Sequence, residues 1–94
     1  MEKLTLEKVN NLIVYELEEF KKELVQKNND YNNSLHQENI FGQDKIEGLK
    51  ARISDKFNRI KSKGLDDTTE DSLRDLLGYY IHYQIMKKNT KYEG

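Results

Sequence analysis

Residues 6–27 read LEKVNNLIVYELEEFKKELVQK, and this stretch decides the fold class. Leu6, Val9, Ile13, Leu17, Phe20 and Leu24 recur at steps of three and four, which places them on one face of an α-helix. Leu12 and Tyr15 widen that face. Thr5 stands where an N-cap belongs, and Glu7 suits the positive end of the helix dipole. A strand would alternate apolar and polar residues, and no useful length of the chain does so. The spacing predicts a first helix over about residues 6–27 and an all-α protein.

The same reasoning extends outward. Ile46, Leu49, Ile53, Phe57 and Ile60 predict a second helix over about residues 44–62, with Gly64 just past its end and Lys61 and Lys63 near its negative pole. Leu73, Leu76, Leu77, Tyr80, Ile81 and Ile85 predict a third over about residues 69–88. Thr68 and Asp71 are spaced as a capping box, with Asp in place of the usual Glu. Residues 28–43 form a long polar connection in which Asn28, Asn29, Asp30, Asn32 and Asn33 favour turns. Connections of that length are usually functional or disordered, and Leu35, Ile40 and Phe41 give this one anchors. Residues 89–94 read as a frayed tail. The expected architecture is a single domain, residues 1–94, with three helices in an antiparallel arrangement and a long polar loop between the first two.

Ninety-four residues with 35% apolar and 35% charged composition make a lean core. A chain of this size buries roughly two-thirds of its unfolded surface, so a homo-oligomer that shares its core is expected. The absence of Cys removes disulfides and thiolate metal sites and fits a reducing cytoplasm. No apolar run approaches the roughly 18 residues of a membrane span, and the N-terminus lacks the shape of a signal peptide. These features predict a cytoplasmic protein with no membrane contact. A net charge of −1 argues against general DNA binding. The charge is unevenly placed. Between Asp44 and Lys63 stand seven Lys/Arg and three acids, whereas between Gly64 and Gly78 five acids face Arg74 alone. The basic and acidic segments are expected to pack together.

Arg52, Lys56, Arg59 and Lys63 form a cationic strip at steps of four, three and four. Bordering a cleft, such a strip holds phosphate; on a solvated face, it pairs with Asp67, Asp71 and Asp75. Asp75 lies mid-helix beside Leu76 and Leu77, where a buried carboxylate needs a partner. That partner is a base or sugar, a metal, or Lys56 or Arg59. Tyr79, Tyr80 and Tyr83 cluster with His82 as core or as a subunit seam. Tyr31 stands in a polar bend, where a ring can stack on a nucleobase, a contact worth about 1–3 kcal/mol. His36 and His82 have no partner at metal-ligand spacing. No nucleophile–His pattern and no Gly-rich phosphate loop occurs. This inventory of ammonium, guanidinium, carboxylate, phenol and amide groups suits a nucleotide better than a metal or an acyl group.

Three fragments carry a family resemblance. They are Lys27, Asp30, Tyr31 and Ser34; Lys56 and Arg59; and Asp71, Ser72, Asp75, Leu76 and Tyr79. In order and spacing, over about residues 24–83, they resemble the nucleotide modification associated domain 1 family. That is a group of small helical phage and bacterial proteins related in outline to the MazG-like nucleotide pyrophosphohydrolases. The resemblance implies a nucleotide ligand. Lys56 and Arg59 would take phosphate with help from Lys27, and Tyr31 would stack on a base. Asp30, Ser34 and Asp75 would bond sugar or base edges, with Asp71 and Tyr79 nearby.

Two departures matter. Asn32 replaces the Gly after the tyrosine, and Asn also enters the left-handed region. The pyrophosphohydrolases hold Mg²⁺ with Glu-x-x-Glu and Glu-x-x-Asp; Lys56 and Arg59 stand on the corresponding helix here, and Ser72 replaces the Glu three before Asp75. Only Asp71 and Asp75 remain as candidate Mg²⁺ ligands, which is few for an octahedral ion. The expectation is therefore a phage-type binder that needs no cofactor and holds a nucleotide. Such a binder would either sequester a cyclic or ADP-ribose-type immune signal or serve phage nucleotide metabolism, and the residues do not select between the two. A Mg²⁺-dependent MazG-like pyrophosphohydrolase and a protein-interaction module without ligand are the alternatives.

Overall fold

The computed structural model describes residues 3–37 and 44–89. Among them are three α-helices, α1 (Leu6–Asp30), α2 (Lys45–Lys63) and α3 (Ser72–Lys88), and a 3-10 turn at Ser34–His36. No strand occurs among the described residues, and the protein is all-α. The chain divides into two compact units, Met1–Asn33 and Ser34–Gly94. No described helix is long and apolar enough to cross a membrane. The proposed anchors Ile40 and Phe41, and tail residues 90–94, lie outside the described residues.

The first unit is α1. The Thr5 hydroxyl caps it by accepting from Lys8 N at 3.2 Å. The helix runs three residues past the expected end. Glu23 pairs with Lys27, and Gln26 donates to Asp30 at 2.9 Å, so side chains one turn apart carry the helix through the Asn-rich segment. It ends in a Schellman turn: Asn33 N donates to Asn28 O at 3.0 Å and Asn32 N to Asn29 O at 3.1 Å. That geometry requires left-handed backbone, and Asn32 and Asn33 supply it at φ 52° and 61°. The first six residues of the predicted loop, 28–33, are therefore a helix end.

The second unit is built on α2 packed against α3. Asp44 caps α2 by accepting from Ile46 N at 3.0 Å. The packed face carries Leu49, which is fully buried, with Ile46, Ile53 and Ile60 half-buried. Phe57, expected in this stripe, is 60% exposed, and Lys56 turns inward instead. The cause is helical geometry. Seven residues from Leu49 return almost to its direction, whereas eight overshoot by most of a right angle.

Gly64 closes α2 with its N–H on Ile60 O at 2.8 Å, at φ 80° and ψ −178°. Only glycine adopts that backbone readily. A Cβ there would meet nothing within 4 Å, so any cost of adding one is conformational. Gly64→Ala is expected to lower stability by about 1–2 kcal/mol, read from urea unfolding, with an unchanged m-value.

α3 departs most from expectation. It begins at Ser72 with Asp71 as N-cap, accepting from Arg74 N at 2.9 Å, and no Thr68 capping box forms. Residues 67–69 instead make a side-chain-locked turn. Its buried residues are Ser72, Gly78, His82 and Met86, while Leu73, Leu77, Tyr80 and Ile85 face solvent. The helix is apolar nearly all round, so periodicity alone does not choose its buried face.

Candidate functional site

The basic and acidic segments meet where the second half of α2 lies against the start of α3. Lys56 and Arg59, one turn apart on α2, both reach Glu70. Lys56 Nζ pairs with Glu70 Oε1 and, at 3.0 Å, with Asp75 Oδ2. Arg59 Nε lies 3.2 Å from Glu70 Oε2 and 2.8 Å from Asp67 Oδ2. Two cations thus converge on one carboxylate, and all five charged residues of the cluster are half-buried.

A hydroxyl relay braces Arg59. Its Nη2 donates to Thr69 Oγ1 at 2.6 Å, and that hydroxyl donates to Asp67 Oδ1 at 2.6 Å. Thr69 N also donates to Asp67 Oδ1 at 2.9 Å, which makes an Asx turn of residues 67–69. The Thr69 hydroxyl, then its N–H, then Arg59 hold the Asp67 carboxyl down from 3.8 to about 2. Because the folded value is the lower one, this contribution to stability is complete above pH 3.8 and is lost as pH falls toward 2. Melting temperatures followed through that window should fall less steeply for Asp67→Asn than for the native chain.

A second polar contact ties the 3-10 turn to α3. His36 Nε2 and His82 Nδ1 are 2.9 Å apart, so one ring donates and the other must be a neutral acceptor. Burial, then the charge of His36, lowers the His82 pKa from 6.5. The unfolded chain therefore takes up a proton that the folded one resists, and stability declines as pH falls below 6.5. His82→Gln should remove this decline from a pH series of melts.

The remaining candidates are distributed as follows. In the first unit, Lys27 pairs with Glu23 at 3.3 Å, Asp30 accepts from Gln26, and Tyr31, 70% exposed, caps α1. In the second, Ser34 opens the 3-10 turn and its carbonyl accepts from Gln37 N at 3.2 Å. Tyr79 is half-buried on α3, and Asp71 is spent as a cap. The structure thus brings together Lys56, Arg59 and Asp75, with Glu70, Asp67 and Thr69 added. The bridging role of Glu70 was not readable in the sequence, because it depends on how residues 64–71 fold back.

A Mg²⁺ site of the pyrophosphohydrolase kind does not fit these residues. Asp71 accepts from a backbone amide and Asp75 faces an ammonium. Among the described residues no three His, Cys, Asp or Glu side chains gather as metal ligands. Ser72 is buried, and its Oγ has no hydrogen-bond partner among the described residues. No family model, curated protein or solved structure matches this chain significantly. The family resemblance therefore rests on the residues quoted for it.

Proposed function

We propose that the second unit binds a nucleotide without obligatory hydrolysis, with Lys56 and Arg59 as its phosphate receptor. The observation that carries this reading is their convergence on Glu70. Two half-buried cations aimed at one anionic group form the kind of pair that grips a phosphate, and a carboxylate occupies it in the free protein. Asp75 and Tyr79, both half-buried on α3 of the same unit, would then contact sugar or base. Asp67, Glu70 and Asp75 outnumber the two cations, so ligand phosphate must displace Glu70. In a phage setting, a cytoplasmic binder of this kind would sequester a cyclic or ADP-ribose-type signal.

The test mixes excess protein with canonical, cyclic and ADP-ribose-type nucleotides and Mg²⁺, then reads the ultrafiltrate and the heat-released material by chromatography. A nucleotide retained and released intact is the expected result, with retention lost in Lys56→Ala. A monophosphate product, abolished by Asp75→Ala, would replace the proposal with the pyrophosphohydrolase alternative. An unchanged panel would overturn both. A second reading, a helical interaction module, is favoured by the apolar side chains that α1 exposes over its first three turns.

A further inference from the structure

We infer that α1 pairs with α1 of a second copy of this chain, as a parallel two-stranded coiled coil through Leu6–Leu17. Leu6, Ile13 and Leu17 are 79%, 50% and 56% exposed, although they lie on the apolar face of a 25-residue helix. Helices in water owe most of their stability to packing of such a face, so this one calls for a partner. The identity of the partner follows from the residues between and beside these positions.

In heptad terms Leu6 and Ile13 occupy d, and Asn10 and Leu17 occupy a. A lone Asn at an a position is tolerated when it meets an identical Asn, amide to amide. That happens only if two copies run parallel and in register. In the antiparallel alternative Asn10 faces Ile13 and loses its partner, at a cost in free energy. The flanks agree. In a parallel pair a g residue faces the e residue five positions on in the other helix, and Glu16 and Lys21 have that spacing. Glu16 of each copy therefore meets Lys21 of the other, giving two opposite-charge contacts. One heptad earlier Val9 and Val14 stand in the same relation and widen the apolar seam. Lys21 now lies 3.1 Å from Glu18 of its own helix, an exposed pair that contributes little and does not compete strongly.

The chain has no cysteine, so single Cys variants report orientation directly. Sedimentation equilibrium of the full chain should show a dimer. Leu6→Cys and Leu17→Cys should each cross-link to itself under mild oxidation, with no preferential cross-link between the two when mixed. Ile13→Asp should raise the dimer dissociation constant at least about 100-fold. If that variant does not fold, surface charges serve instead. Glu16→Lys should weaken pairing about tenfold, and adding Lys21→Glu should restore it. A monomer at all concentrations would overturn the inference, because the stripe would then be covered within the chain or by another protein. A preferential cross-link between positions 6 and 17 would overturn it in favour of antiparallel pairing. A dimer that cross-links at neither position would overturn it too, and would point to the exposed α3 face of Leu73, Leu77 and Tyr80.

Discussion

Lys56→Met is expected to destabilise the protein by about 2 kcal/mol, even though it keeps most of the apolar stem of the side chain. The reason is what the substitution leaves behind. The Lys56 side chain is 19% exposed, and those of Glu70 and Asp75 are 27% and 24% exposed, so none of the three is well hydrated. Removing the ammonium leaves two nearby carboxylates without their shared cation. Breaking a fully buried pair in this way costs about 3–5 kcal/mol, and partial solvation reduces that here. Lys50→Met on α2 is the control: its pair with Glu47 is open to water, and the loss should stay under about 0.5 kcal/mol. Equal effects of the two substitutions in urea unfolding would show that the Lys56 cluster is an ordinary surface pair.

Leu49→Ala should have the largest effect of any single truncation in the second unit, about 3 kcal/mol. Leu49 is 1% exposed on the packed face of α2, and the described core of this unit contains few other fully buried side chains, Met86 of α3 among them. Small domains have about 5–15 kcal/mol in total, so such a loss would bring this unit close to unfolding at room temperature. Phe57→Ala removes a larger side chain from the same helix but from a 60% exposed position, and should cost under about 1 kcal/mol. The ordering Leu49 above Phe57, read from thermal melts, checks the rotational setting of α2.

That setting marks the limit of what the sequence reveals. The helices themselves were legible, because steps of three and four leave no other regular reading for α1 and α2. Gly64 was legible as a helix stop from its chemistry. Asn32 was legible as a left-handed residue for the same reason, although the helix it ends runs on to Asp30. Which of two adjacent residues points inward was not legible for Lys56 and Phe57, since an apolar stripe at steps of three and four absorbs a drift of most of a right angle. On α3 the difficulty was greater. Leu73, Leu77, Tyr80 and Ile85 form a plausible stripe and face solvent, while Gly78, His82 and Met86 face in.

The site divides in the same way. A cationic strip and an acidic helix start were evident from charge, and the pairing of Lys56 with Asp75 was one of the partners open to that carboxylate. The relay from Arg59 through Thr69 to Asp67 was not, because it depends on a turn that replaces the expected first turn of α3. With residues 67–69 held in that turn, α3 begins at Ser72 with Asp71 as its N-cap. The same turn delivers Glu70 to both cations, and so decides what a phosphate would have to displace.

Competition between Glu70 and a ligand is the most direct point of attack on this account. Isothermal titration with ADP should be run on the native chain, on Glu70→Gln and on Lys56→Ala. If Lys56 and Arg59 are a phosphate receptor held shut by Glu70, then Glu70→Gln should bind about tenfold more tightly than the native chain. Lys56→Ala should then give no measurable heat. Absence of binding by both the native chain and Glu70→Gln, or an affinity that neither substitution changes, would contradict it.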